Sequence, residues 1–172
     1  MAELVLRHRL AQEGLADAVT VDSAGLGPWH AGEPADPRTV TTLAAHGYPT
    51  AHVARQWQPE WFAERDLVIA LDEEHARELR LGAPDSAATD KVVLLREFDP
   101  ASEDDDLDVP DPYYGGSRGF DEVLAMVEAA IEGLVEHLRE ELSDTSEPDQ
   151  PALPEATLDI AAAIDPEAAP AG

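Results

Sequence analysis

The 172 residues contain no cysteine. That excludes disulfides, thiolate metal sites and a thiol nucleophile supplied by these residues. Basic side chains are scarce: 11 Lys and Arg stand against 37 Asp and Glu, a net charge of -26. Binding to nucleic acid or to an anionic membrane draws on clustered Lys and Arg, so neither is expected as a partner. No apolar run approaches the length of a membrane span, and Arg7 and Arg9 interrupt the first apolar stretch, as a signal peptide would not allow. A cytoplasmic protein is the expectation. The six histidines show no metal-ligand spacing, so no metal site and no cofactor are expected.

What is present suits one domain of ordinary size. Residues 2 to about 15 predict a helix with two apolar stripes, Leu4-Ala11-Leu15 and Leu6-Leu10, to be covered on more than one side. V-T-V-D-S (19–23) predicts a strand running into a glycine-rich loop. Asp36 followed by Pro37 predicts a capped helix start, with Gly47 closing that helix. L-V-I-A-L (67–71) and V-V-L-L (92–95) are short, continuously apolar and β-branched, the pattern of strands covered on both faces. Asp72 is placed to cap a helix ending near Gly82. Phe120, Val123, Leu124, Val127, Ile131, Leu134 and Leu138 mark a long amphipathic helix. The alternation of helix and strand implies an α/β fold with a parallel sheet. Residues 143–172 hold seven acidic residues, five prolines and no Lys or Arg, and predict a disordered acidic, Pro/Ala-rich tail behind a domain spanning 1–142.

One loop concentrates unusual chemistry. V-P-D-P-Y-Y-G-G (109–116) sets Asp111 between two prolines and ahead of two tyrosines and a glycine pair. Proline restricts φ on either side, so the acid is held in a stiff loop. A turn leading into the long helix would explain the same residues.

Four stretches in order carry a family resemblance: M-A-E-L-V-L-R-H-R-L (1–10), V-D-S-A-G-L-G-P-W-H-A-G-E-P-A-D-P-R (21–38), H-G-Y-P-T-A-H-V-A-R-Q (46–56) and D-P-Y-Y-G (111–115). From Met1 to about Leu142 the chain resembles a low-molecular-weight protein tyrosine phosphatase. The resemblance implies a three-layer fold, a parallel sheet flanked by helices. It also implies hydrolysis of a phosphotyrosine protein or small aryl phosphate through a cysteinyl phosphate. Asp111 takes the position of the general acid, a role worth roughly 100- to 10,000-fold in rate. Trp29, Tyr113 and Tyr114 take positions on the substrate-binding wall, and Ser23, His52 and Arg55 positions that support the phosphate loop. Each has a bland alternative: a loop anchor for Trp29, loop packing for the tyrosines, a structural histidine for His52. The acidic run 103–106 with Asp108 is either a brake on ionisation of Asp111 or a solvated loop.

The departure from the family lies at the amino end. The C-x5-R-[ST] loop, with its nucleophile, and the first strand would both precede Met1. The expectation is therefore a sheet with its interior first strand missing, and a chain inactive as it stands. A start assigned at the wrong methionine is the simplest account of it; a real truncated product with a rearranged sheet is the other. A non-catalytic pseudophosphatase module is the alternative. A relative of the arsenate reductases fits less well, because their redox relay uses cysteines. Oligomeric state is not legible from these residues.

Overall fold

A computed structural model describes residues 1–103, 106–112 and 117–144, and the main chain of 156–161. Five helices, α1 (Ala2–Gln12), α2 (Pro37–Ala45), α3 (Glu73–Gly82), α4 (Ser86–Asp90) and α5 (Ser117–Asp144), accompany four strands: β1 (Val19–Ser23), β2 (Leu67–Ala70), β3 (Val92–Leu94) and β4 (Ala156–Ala161). All strand pairs are parallel, in the order β1-β4-β2-β3.

The sheet separates two apolar cores. On one face Val19, Val21 and Ile69 pack with Leu4, Val5, Leu6 and Leu10 of α1, Leu43 of α2, and Leu124, Ile131 and Leu134 of α5. On the other, Val68, Ala70, Val92 and Leu94 meet Ala76 and Leu79 of α3, Trp57 and Phe62. Burial on both sides explains why β2 and β3 read as unbroken apolar runs rather than alternating ones. This is the three-layer α/β architecture expected from the pattern of elements.

Local chemistry accounts for the element boundaries. The Asp36 side chain accepts from Arg38 N at 2.7 Å, and Pro37 opens α2. Asp72 Oδ1 accepts from His75 N at 2.7 Å and caps α3. α1 ends at Gln12, three residues earlier than expected, because Gly14, at φ 72, turns the chain. Leu15 N then bonds back to Leu10 O at 2.8 Å and Leu15 still packs on the core. The short α4 was not anticipated, although Asp85 caps it in the same way as Asp36 and Asp72, accepting from Ala88 N.

The largest departure concerns the sheet interior and the tail. The position expected to be vacant is filled, and the segment that fills it comes from residues expected to lack structure. Ala156–Ala161 pairs with β1 along Val19–Ser23 and with β2 along Leu67–Ala70. Main-chain N–H and C=O groups on both neighbours thus find partners, where a gap would leave each unpaired buried group costing about 1–3 kcal/mol. Averaged over thirty residues, the tail's charge and proline content obscured a local run, A-T-L-D-I-A, that does carry strand-forming residues.

Close helix packing sets one checkable constraint. Gly133 of α5 lies against residues 95–98, and a Cβ there would overlap the Phe98 carbonyl oxygen. Helix propensity favours alanine over glycine by about 1 kcal/mol. Overlap with fixed main chain costs about 1–3 kcal/mol and cannot be relieved by a rotamer change. Gly133→Ala is therefore expected to lower stability by up to about 2 kcal/mol, read as a lower urea midpoint at unchanged slope. A rise in the midpoint would show that the approach is looser than described.

Candidate functional site

The amino-terminal turn of α1 is wholly buried and separates two cavities. Ala2, Glu3, Leu4, Val5 and Leu6 are all buried, so the head of the helix is fixed in the core. The Met1 amino group is buried there too; burial lowers its pKa below the ordinary 8.0, opposed by the charge of Glu3.

The first cavity brings the head of α1 to the acid loop. Met1 and Ala2 line it together with Asp72, Pro110, Asp111 and Pro112. Its volume is about 40 Å³, room for a water or two and too little for an aromatic ring. Asp111 itself is exposed at the edge. The loop carrying it is held by groups that sequence patterning did not single out. Arg96, only 8% exposed, donates through Nη1 to Asp108 O at 3.0 Å and pairs with Asp106 Oδ2 at 3.3 Å. Asp108 Oδ1 accepts from Glu73 N at the start of α3 at 2.8 Å, and Val109 N donates to Leu71 O at 2.8 Å. Asp108 is thus a structural acceptor, engaged with a helix N-terminus. Asp104, Asp105, Tyr113 and Tyr114 lie outside the described residues.

At the neighbouring helix end, Asp72 lines the same cavity. Burial would raise its pKa, but hydrogen bonds from the His75 ring and main chain outweigh that and hold it below the ordinary 3.8. His75 Nδ1 lies 2.6 Å from Asp72 Oδ2.

The second cavity is larger, about 390 Å³, and its polar lining includes Glu3, Arg7, Asp22, His52 and Arg55. Here the structure gathers Ser23, His52 and Arg55. Glu3 Oε2 accepts from Ser23 Oγ at 2.6 Å and lies 3.3 Å from His52 Nδ1, while Oε1 accepts from Arg7 Nη1 at 3.2 Å. Arg55 Nη2 donates to Ser23 O at 3.2 Å and pairs with Asp22 Oδ2 at 2.7 Å. Arg65 Nη2 reaches the same Asp22 oxygen at 2.8 Å. Both guanidinium groups lie over the Trp61 ring, at 4.9 and 5.0 Å, which helps fix them. Ser23, His52 and Arg55 therefore form one polar node, centred on a carboxylate that gave no sign of burial: Glu3 occupies a first-turn helix position where acids are ordinarily solvated.

Trp29 is placed differently. The loop after β1 is pinned to residues 54–57 by main-chain bonds, among them Gly25 N to Arg55 O and Gly32 N to Ala54 O, both 2.8 Å. Its tip carries Trp29, 61% exposed, with the ring lying over Gly27 in the space a side chain would fill. Trp29 lines neither cavity described above. Among the described residues no cluster of His, Asp or Glu could hold a metal ion, and no helix is long and apolar enough to cross a membrane.

A parallel sheet between helical layers, with a proline-framed acid beside the head of the first helix, defines a three-layer α/β scaffold, and the comparisons place it. The chain belongs to the low molecular weight phosphotyrosine protein phosphatase family, whose model matches residues 1–144. It is 56% identical over 142 residues to a low molecular weight protein-tyrosine-phosphatase of Streptomyces coelicolor, covering 83% of this chain and 87% of that one. It is 48% identical over 143 residues to the low molecular weight protein-tyrosine phosphatase A of Mycobacterium tuberculosis, covering 83% and 85%. Among solved structures, a protein tyrosine phosphatase from Entamoeba histolytica superposes with a TM-score of 0.77 at 30% identity, covering 82% of this chain and 88% of the other. YfkJ from Bacillus subtilis superposes with a TM-score of 0.73 at 31% identity, covering 81% and 86%.

The Glu3 node has a measurable pH signature. Burial alone would raise the Glu3 pKa, but bonds from His52, Ser23 and Arg7 lower it from 4.5 to about 2. A depressed carboxylate pKa adds stability that is intact above 4.5 and is lost as pH falls through about 2. At about 1.4 kcal/mol per pKa unit, the contribution is on the order of 3 kcal/mol. Glu3→Gln is expected to flatten this acid limb in urea titrations. An unaltered limb would place the node's contribution elsewhere.

Proposed function

We propose that the chain is the acid-donating half of a phosphotyrosine monoester hydrolase site. The observation that carries this reading is the shared cavity of Asp111 with Met1 and Ala2 at the head of α1. In this chemistry a thiolate attacks phosphorus, the bond from phosphorus to the aryl oxygen breaks, and the Asp111 carboxyl gives its proton to the departing phenolate. Water then attacks the cysteinyl phosphate, passing a proton to the Asp111 carboxylate and freeing phosphate and thiolate. By the family resemblance Trp29, Tyr113 and Tyr114 are assigned to the wall for the aromatic ring, and the substrate is a phosphotyrosine protein or a small aryl phosphate. Ser23 and His52, joined by Glu3, and Arg55, held by Asp22 and the Ser23 carbonyl, form the support for the phosphate-binding position. No cofactor takes part.

These 172 residues supply no thiol. Among the described residues, Thr39, 2% exposed in the core, is the hydroxyl side chain on the Asp111 cavity. The first step therefore has no nucleophile, and the chain does not turn over phosphate esters by itself. The lack of cysteine also favours a second reading, a pseudophosphatase module that retains the aromatic wall for binding.

Hydrolysis of p-nitrophenyl phosphate separates the possibilities. The 172-residue chain is expected to stay at the uncatalysed background. A form extended upstream by a cysteine-bearing phosphate loop is expected to be active and to lose roughly 100- to 10,000-fold in kcat on Asp111→Ala. Turnover by the unextended chain would end the half-site reading. Full activity of the extended Asp111→Ala variant would remove Asp111 from the acid role.

A further inference from the structure

Only 11 basic side chains occur in the chain, and one of them is buried where the acid loop begins. Arg96 lies in the 3-10 turn Leu95–Phe98 that follows β3. The turn is itself fixed. Glu97 Oε1 accepts from Leu94 N at 3.0 Å, and the Phe98 carbonyl packs on Gly133 of α5. Burying an arginine is unfavourable unless its guanidinium is engaged. Here Nη1 donates to Asp108 O and pairs with Asp106. The Arg96 carbonyl accepts from Ser102 Oγ at 2.7 Å, so one residue holds the loop both near its start and near the acid.

These contacts converge just ahead of Asp111. Asp108 accepts from Glu73 N, and Val109 N donates to Leu71 O, so both residues are tied to the junction of β2 and α3. Asp72, between those two attachment points, lines the same cavity as Asp111. Past the buried Val109 the chain runs through Pro110 to Asp111 and Pro112. The proline rings restrict φ on either side of the acid, so little freedom separates the clamp from the carboxyl. A shift at Asp108 is therefore carried to Asp111 rather than absorbed. Asp106 is 73% exposed, and water screens its pair with Arg96. The bond to the Asp108 main chain is the restraint that matters.

We propose that Arg96 is a positioning residue for the acid step, acting through the Asp108 main chain to hold Asp111 where the departing phenolate is protonated. The inference rests on the half-site reading above. The proton still passes from the Asp111 carboxyl to the aryl oxygen, and Arg96 takes no part in that transfer. Misplacing a reacting group by about 1 Å can cost roughly 100-fold in rate. What the acid itself supplies, roughly 100- to 10,000-fold, sets the upper bound. The loss is therefore greatest for substrates whose leaving group most needs a proton, a pattern that a general weakening of the fold does not produce.

Two measurements test this. In the 172-residue chain, Arg96→Ala is expected to speed exchange of the Val109 amide about tenfold by NMR while α5 amides keep their protection. In the form extended upstream by a phosphate loop, kcat/KM is compared for two substrates. Arg96→Ala is expected to lower it about tenfold or more for phenyl phosphate, and at least about threefold less for p-nitrophenyl phosphate, whose phenolate leaves more readily. In an Asp111→Ala background the same substitution is expected to change kcat/KM by less than about twofold, because the two act through one group. Equal losses on both substrates, a full additional loss in the Asp111→Ala background, or an unchanged Val109 amide would each overturn the proposal. If Arg96→Ala does not fold, Asp108→Ala decides. It removes the exposed carboxylate that caps α3, and equal losses on the two substrates overturn the proposal. An extended Asp111→Ala form with full activity would bring down the half-site reading and this inference together. Activity lost on Asp111→Ala but kept on Arg96→Ala would overturn this inference alone.

Discussion

The arrangement of the whole site depends on one buried carboxylate. Glu3 joins the head of α1 to the end of β1 through Ser23, and to the segment after α2 through His52. With Met1 and Ala2 against the acid loop on one side and Glu3 and Arg7 beside the larger cavity on the other, the first turn of α1 is the point from which both cavities are measured. Burying a carboxylate is unfavourable unless several donors face it. Three do so here, and their combined pull exceeds the desolvation that opposes it. The node therefore fixes the helix in angle and depth, where apolar packing alone would tolerate sliding.

A second set of polar anchors does the same for the acid loop. Arg96, buried and twelve residues away in sequence, binds the main chain at Asp108, and Asp108 in turn caps α3. The proline-framed acid is stiff because of its own residues and located because of these contacts. The two anchoring systems share no residue: Glu3, Ser23 and His52 form one, Arg96, Asp108 and Glu73 the other.

How much of this was legible in the residues follows from the range of each interaction. Caps such as Asp36 with Pro37, and apolar runs such as Leu67–Ala70, are local signals, and they located α2 and β2 directly. The juxtaposition of Asp111 with the head of α1 was legible only through family resemblance, because more than one hundred residues separate them and no local rule brings them together. Glu3 and Arg96 were missed because a charged side chain carries no sign of burial until its partners are known. β4 was missed for a different reason: a six-residue pattern was averaged into a thirty-residue acidic segment. It is also the element whose pairing completes the sheet.

The central claim, an acid-bearing phosphatase scaffold without an attacking group, is tested most directly by trapping. The 172-residue chain would be incubated with an aryl phosphate, quenched in acid, and its intact mass measured. The account predicts a mass unchanged from that of the untreated chain. A stoichiometric gain of one phosphoryl group would contradict it, since it would reveal a nucleophile in a chain that has no cysteine.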